Sequence, residues 1–376
     1  MDQRKIRVLY ITDTFRQRSG ITAVIRNYLT HFDWDKIQVD LLVNDTSEKE
    51  AVEQMRKLGA NIFYMPVLGM RTISPFFKFI KSFFKEHHYD IVHSHYYQID
   101  TLVFPIAKKH FNCKCISHSH STKYSEYFIR GLRNRIMCWN IGKVADYWAA
   151  CSNDAGIFLF GKSFQNSPKK LIVINGIESK EYLFDNLVRE QKRKEFGIGN
   201  EEIIVGHIGR MAPQKNPLFL LDIFQELLKI NDKYRLMMVG NGPMESEVRD
   251  KATRLGLNDK IYFAGVRNDV PKLINAFDFF LFPSLYEGLG IVAVEAQANG
   301  LNCLVSDVIP SEVDLTGITR LSLKKPASEW AQTINEIGTN RHENNVQKVV
   351  EAGYDIQIAA NALYDFYSQI IIISQG

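Results

Sequence analysis

Short apolar runs bounded by polar or glycine-containing stretches recur along the chain, and between them apolar positions repeat at helical spacing. Residues 7–11 predict a first strand. After the loop at 12–19, Val24, Ile25, Tyr28 and Leu29 fall on one face of a predicted helix over 20–29. A second strand follows at 39–43, and helical stretches near 47–58 and 74–86 alternate with strands at 62–64, 91–93 and 115–117. The pattern restarts with an apolar run at 203–208 and continues with strands at 236–239, 261–263, 279–282 and 303–305. Strands alternating with helices predict mostly parallel sheets covered on both faces.

Between the two series, residues 178–200 are charged and polar and read as a linker. The predicted organisation is a first Rossmann-like domain over 1–177, the linker over 178–200, and a second Rossmann-like domain over 201–357. Ala362, Leu363, Phe366, Tyr367 and Ile370 recur at helical spacing near the C-terminus. A terminal helix over 358–376 is expected to cross back to the first domain. Sheets of this kind take ligands at the carboxyl ends of their strands, so two such domains are expected to face each other across a cleft. No repeat of solenoid length occurs.

Hydrophobic residues make up 45% of the 376 and charged residues 23%, which excludes a disordered or low-complexity chain. Five cysteines without a C-x-x-C pair argue against a disulfide framework and a cysteine zinc site, and fit a reducing cytosol. The polar start, residues 1–5, runs into an apolar segment too short for a signal-peptide core, and no apolar run is long enough to span a bilayer. A cytoplasmic location is expected, with association at the inner face of the cell membrane in view. Charge divides unevenly: 26 Lys+Arg against 16 Asp+Glu over residues 1–180, and 20 against 26 over 181–376. The first half should prefer anionic partners. No nucleic-acid motif accompanies the charge, so a membrane surface or phosphorylated acceptor fits at least as well.

Chemistry concentrates at predicted strand ends. Residues 206–217 leave a strand, turn, and enter a helix, and the turn carries Arg210 and Lys215, cations suited to a leaving diphosphate. Residues 283–298 run from a strand through Glu287 and two glycines into a helix near Ile291. Backbone amides of Leu289, Gly290 and Ile291 would there face an anion at a helix N-terminus. Glu287 and Glu295 place one carboxylate on the loop and another on the helix.

In order, the chain carries G-R-x4-K-N (209–216), V-G-N-G-P (239–243), F-A-G-x-R-x-D-V (263–270) and E-G-L-G-x4-E-A (287–296). Together these resemble the retaining glycosyltransferases of the GT-B fold, family 4, a group rich in bacterial capsule and exopolysaccharide enzymes, and the resemblance covers nearly the whole chain. It implies a hexosyltransferase that moves a sugar from a nucleoside diphosphate donor, uridine being the commonest, to a glycan or lipid-linked acceptor. On this likeness Arg210 and Lys215 hold the diphosphate, Glu295 binds ribose hydroxyls, Glu287 sits beside the transferred sugar, and Val266 and Arg267 border the base. Gly20 stands where the family has a Gly-Gly loop, of which Ser19-Gly20 retains one glycine. His118 and His120 follow one strand, as His93 and His95 follow another. His120 is implied as the group that bonds the donor sugar and steadies an oxocarbenium-like transition state, with His118 as runner-up. Asn175, beside Gly176, and Gly242 of V-G-N-G-P are implied cleft residues.

H-x-H read alone also suggests a metal site, but no carboxylate or cysteine accompanies it at ligand spacing, so neither metal nor cofactor is expected. The cations and a helix dipole can take the part of Mg²⁺. Other readings are a sugar-nucleotide 2-epimerase and a non-catalytic sugar-nucleotide-binding partner subunit; a dehydrogenase lacks its G-x-G-x-x-G. Residues 108–143 carry eight Lys or Arg against Glu126, and the aromatic-basic stretch 76–85 is a candidate interfacial helix. The competing reading of that stretch is a helix packed on the sheet with its lysines in solvent.

Overall fold

The computed structural model describes residues 4–15, 20–45, 49–125, 128–343 and 345–372. The chain forms two compact units, one of residues 1–176 with 356–376 and the other of residues 177–355. Ser19 lies outside the described residues, as does Glu126.

The first unit holds strands β1 (Ile6–Thr14), β2 (Ile37–Asp45), β3 (Ile62–Tyr64), β4 (Ile91–Ser94), β5 (Lys114–Ser119), β6 (Tyr147–Ala150) and β7 (Lys170–Ile172). They pair in parallel in the order β3-β2-β1-β4-β5-β6-β7. Val8, Leu9, Leu41, Leu42, Val92 and Ile116 are fully buried because helices cover both faces of the sheet. One cover is the terminal helix Ile356–Ile372, whose Leu363, Tyr367 and Ile370 pack with Ile25, Tyr28 and Phe32. The chain leaves this unit at Gly176, where an added Cβ would lie 2.7 Å from the Cα of Ile356, so glycine lets the outgoing and returning strands of chain touch.

The second unit holds β8 (Ile203–Ile208), β9 (Tyr234–Val239), β10 (Ile261–Gly265), β11 (Phe279–Phe282), β12 (Cys303–Ser306) and β13 (Ile318–Leu321). Its order is β10-β9-β8-β11-β12-β13, again parallel. Both sheets are therefore doubly wound, reversing between β1 and β4 in one and between β8 and β11 in the other. Loops after those strands diverge and leave room for a ligand.

Two expectations change. Residues 178–200 are not a linker: they contain the turn Ser179–Tyr182 and the helix Asn186–Glu195, and they belong to the second unit. The carboxylate of Asp185 caps this helix by accepting from the amides of Leu187 and Val188. Its cations find distant acids: Arg189 and Arg193 bond Asp278 at 2.5 and 3.2 Å, and Lys192 bonds Asp269 at 2.6 Å. The helix Ile73–Glu86, which contains the candidate interfacial stretch 76–85, buries Phe76, Ile80, Phe83 and Phe84 against Val103 and Phe104, with Lys78, Lys81 and Lys85 in solvent. Three short strands, β6, β7 and β13, escaped the pattern; β7 and β13 are edges and only partly buried.

The loops after β8 and β9 pack backbone against backbone. Met211 donates its amide to the carbonyl of Asn241 at 2.9 Å, and Met244 donates to the carbonyl of Met211 at 2.9 Å. A Cβ on Gly242 would stand 2.3 Å from the Met211 carbonyl oxygen. Gly242→Ala should thus push the loop that bears Arg210 and Lys215 and cost ~1–3 kcal/mol in urea unfolding, as overpacking does; wild-type stability would show that the contact is soft.

Candidate functional site

In the second unit the loops after β8 and β11 lock together beside the sheet's reversal. Leu285 donates its amide to the carbonyl of Gln214 at 2.8 Å, and the Gln214 side-chain amide donates to the Tyr286 carbonyl and to Glu287 Oε2, both at 3.1 Å. Lys215 Nζ reaches Glu287 Oε1 at 2.6 Å and lies 4.5 Å from the centre of the Phe282 ring. The lysine and glutamate side chains are 15% and 7% exposed, so the pair is largely desolvated. Arg210, on the same loop, is exposed and forms no ion pair among the described residues. Asn216 takes a left-handed turn (φ 53°) before the helix Pro217–Ile230.

Gly290 adopts φ 89° and turns the chain into the helix Ile291–Ala298. Leu289 is buried and Ile291 opens the helix, whose first amides have no intrahelical acceptor. One turn on, Glu295 is partly exposed but poorly hydrated: burial pushes its carboxyl up to about 7, against the Tyr182 hydroxyl bond and the nearby Lys215 ammonium, which both pull it down. Lys215 thus acts on both glutamates that the motif supplies. Val266 is 40% exposed at the end of β10. Arg267 beside it is held by Asp269 and Glu195, each at 2.7 Å, which raises its pKa and occupies the guanidinium that the resemblance placed near a base.

In the first unit four histidines form a layer on one side of adjacent strands. His93 on β4 pairs in register with Ile116 on β5, so the i, i+2 alternation brings His93, His95, His118 and His120 together. His93 Nε2 is 3.0 Å from His118 Nδ1, His95 Nδ1 is 2.8 Å from His120 Nε2, and the His118 and His120 rings stack at 3.9 Å. His93 Nδ1 meets the Tyr367 hydroxyl at 2.5 Å, which meets that of Tyr10 at 3.0 Å, so the terminal helix anchors the layer. Burial holds the imidazoles neutral: His93 and His120 fall to about 3, and His95 and His118 lie well below their ordinary value.

His118 is inside β5 and fully buried, whereas His120, just past the strand end, is partly exposed. Only His120 is therefore available to a ligand. His93, His95 and His118 bring ring nitrogens within 4.8 Å of one another, a spacing a metal could use. Within this cluster His93 Nε2 and His118 Nδ1 are already hydrogen-bonded to each other, while the buried Nε2 atoms of His95 and His118 have no partner among the described residues. Gly20 opens the helix Gly20–His31, and none of the described residues comes within 4 Å of where its Cβ would sit. Asn175 keeps a buried Oδ1 without a partner at the end of the unit.

Of the residues inferred from sequence in the second unit, Glu287 and Glu295 thus gather around Lys215, Gly290 lies against Glu287 and Gly242 against Met211 of the Lys215 loop, while Arg267 is engaged elsewhere. Gln214, Tyr182, Tyr10 and Tyr367 were not legible as site residues, since each acts through a partner remote along the chain and none has a motif of its own.

Two stability outcomes follow. Lys215→Met should cost ~3–5 kcal/mol in chemical denaturation by stranding a buried carboxylate, and Lys215→Met with Glu287→Leu should recover most of it. An equal loss in both variants would mean the pair is not what matters. The second outcome concerns pH. Below the ordinary histidine value of 6.5, the unfolded chain protonates His93, His95, His118, His120 and His207 while the folded one does not, His207 being held at about 4 by burial. Asp100 and Glu295 act oppositely, because burial raises them to about 8 and 7 and the folded state keeps their protons. Five groups outweigh two below 6.5, so stability falls with falling pH; from 6.5 to about 8 only the acids count, and stability falls with rising pH. Melting temperature should peak near 6.5, and Asp100→Asn should flatten the alkaline limb; a peak above pH 8 would contradict the acid assignments.

Residues 188–355 match the family model described as Glycosyl transferases group 1, and residues 18–159 match the one described as Glycosyltransferase Family 4. The putative glycosyltransferase EpsF of Bacillus subtilis (strain 168) is 30% identical over 377 residues, 98% of each chain. The UDP-Gal:alpha-D-GlcNAc-diphosphoundecaprenol alpha-1,3-galactosyltransferase of Escherichia coli is 25% identical over 343 residues, 82% of this chain and 84% of that one. The crystal structure of Anabaena HepE in complex with UDP and glucose shares the fold with a TM-score of 0.78 at 18% identity, over 96% of this chain and 99% of that one. With two family models in succession, full-length likeness to EpsF and two doubly wound sheets, this chain belongs to the family 4, group 1 glycosyltransferases of the GT-B fold.

Proposed function

We propose that this glycosyltransferase moves a sugar from a UDP-sugar to a glycan or lipid-linked acceptor in bacterial surface polysaccharide synthesis, with retention of anomeric configuration and without a metal ion. The reading is carried by one observation: Lys215 bonds Glu287 at 2.6 Å and also acts on Glu295, beside a glycine-led helix N-terminus. Two cations and helix amides suit a diphosphate, and carboxylates suit the hydroxyls on either side of it. The donor of the Escherichia coli relative is UDP-Gal by its name, its acceptor is a diphosphoundecaprenol-linked sugar, and the Anabaena protein binds UDP and glucose. These names support a UDP-sugar and an acceptor carried on lipid.

In this mechanism Arg210, Lys215 and the amides at Leu289–Ile291 neutralise the diphosphate as the bond to the sugar's C1 breaks. The donor's phosphate oxygen takes the proton of the acceptor hydroxyl, which bonds C1 on the face that phosphate leaves. Lys215 turns from Glu287 toward the incoming charge, and Glu287 turns to a sugar hydroxyl. Glu295 accepts from the ribose. His120, neutral and outermost in its layer, bonds the sugar and stabilises the cationic transition state; His118 supports it by stacking. Val266 borders the base, with Arg267 kept in its ion pairs. Gly20, Asn175 and Gly242 shape the walls.

UDP should raise the melting temperature by several degrees more than ADP or GDP, with EDTA present or absent, and the product anomeric configuration read by NMR should equal the donor's. An inverted product, or a glycosyl adduct trapped on a side chain of Glu287→Ala, overturns the mechanism; donor binding without transfer to any acceptor favours a partner subunit. Because Glu295 titrates near 7, UDP affinity should rise between pH 6 and pH 8 as the carboxylate forms. Glu295→Gln should bind about tenfold more weakly and lose that dependence, since one charge-assisted hydrogen bond is worth ~1.5–3 kcal/mol.

A further inference from the structure

One helix of the first unit is amphipathic in the wrong direction for a core. Phe128–Met137 presents Phe128, Ile129, Leu132 and Ile136 to solvent at 86%, 83%, 51% and 62% exposure, followed by Trp139 at 80%. At ~100° per residue the four helical side chains fall within an arc of about 100°. Asn134, on the opposite side, is buried and donates to the carbonyl of Tyr124 at 3.0 Å. Past the helix, Cys138 and Ile141 pack with Tyr97 and Leu159, and Thr101 bonds the Met137 carbonyl at 2.8 Å. The helix is thus fastened by its polar side and the turn that follows, while its apolar arc faces outward. Monomeric proteins seldom leave such a continuous patch uncovered.

We propose that this helix is a membrane-docking surface, seated in the interface of an anionic lipid bilayer. The inference rests on the reading of a lipid-linked acceptor and assigns where the protein meets the membrane that carries it. The occupant is indicated by charge: Arg133 and Arg135, both exposed, flank the apolar arc on its two edges, Arg130 is exposed on the same helix, and Lys123 and Lys143 are exposed on the chain before and after it. Basic side chains beside an apolar stripe can reach lipid phosphates while the stripe enters the acyl boundary. Trp139 at the end of the patch suits the headgroup level. No helix among the described residues is long and apolar enough to cross a membrane, so contact through this face is peripheral. The helix Ile73–Glu86, richer in phenylalanine, is spent on the core.

The test uses the full-length protein in sedimentation with phosphatidylcholine vesicles, with and without phosphatidylglycerol. Wild type should bind the anionic vesicles and release them as salt rises. Ile129→Glu with Leu132→Glu should weaken partitioning about tenfold or more, whereas Ile73→Glu, at 52% exposure on the other helix, should leave it unchanged. Circular dichroism and the UDP thermal shift should match wild type in the double variant. Equal vesicle binding by wild type and double variant, absent or salt-insensitive binding by wild type, or a dimer lost in the double variant without any vesicle binding overturns the proposal. Failure of the donor reading would appear separately, as a wild-type protein that UDP does not stabilise.

Discussion

All strands in each sheet run the same way, so their carboxyl ends, and the loops that follow, are delivered to a single edge. Where strand order reverses, between β1 and β4 and between β8 and β11, consecutive connections leave on opposite faces and cannot fill the space between them. That geometry gathers the histidines on and just beyond β4 and β5 in one unit and the Lys215 and Glu287 loops in the other. It explains why residues as distant along the chain as Gln214 and Tyr286 are hydrogen-bonded neighbours.

Burial then sets the charge states. The same loss of hydration holds the histidine layer neutral and lifts Glu295, because it disfavours whichever form is charged. Lys215 and Glu287 remain an ion pair in a desolvated place by satisfying each other, with Gln214 taking the second carboxylate oxygen. Such a pair is costly to break on one side, because the charge left behind is buried and uncompensated. The layer of imidazoles meets Tyr367 from the terminal helix, so returning the end of the chain to the first unit supports the histidine layer as well as a core.

Charge and aromatic content mislead when read without a partner. The cations at 189–193 resemble a solvated linker, yet they are drawn into the second unit by Asp278 and Asp269. The phenylalanines of Ile73–Glu86 resemble a membrane face, yet the sheet covers them, while the less conspicuous Phe128–Met137 stays bare. In both cases composition reports what a segment could bury or pair with, and only its neighbours decide whether it does.

Much of the fold was legible in the chain itself. Apolar runs marked the interior strands other than β6, since a strand buried on both faces is apolar nearly throughout, and helical periodicity marked Gly20–His31, Pro217–Ile230 and Ile356–Ile372. The ordered motifs located Arg210, Lys215, Glu287 and Glu295, because local turns and a helix start carry them. Edge strands β7 and β13 were not legible, as they are short and half-buried. Nor were the roles of Tyr182, Gln214 and Tyr367, the engagement of Arg267, or the contrast between buried His118 and accessible His120. Those depend on distances across the fold and on which groups lose water, quantities that no local pattern of residues encodes.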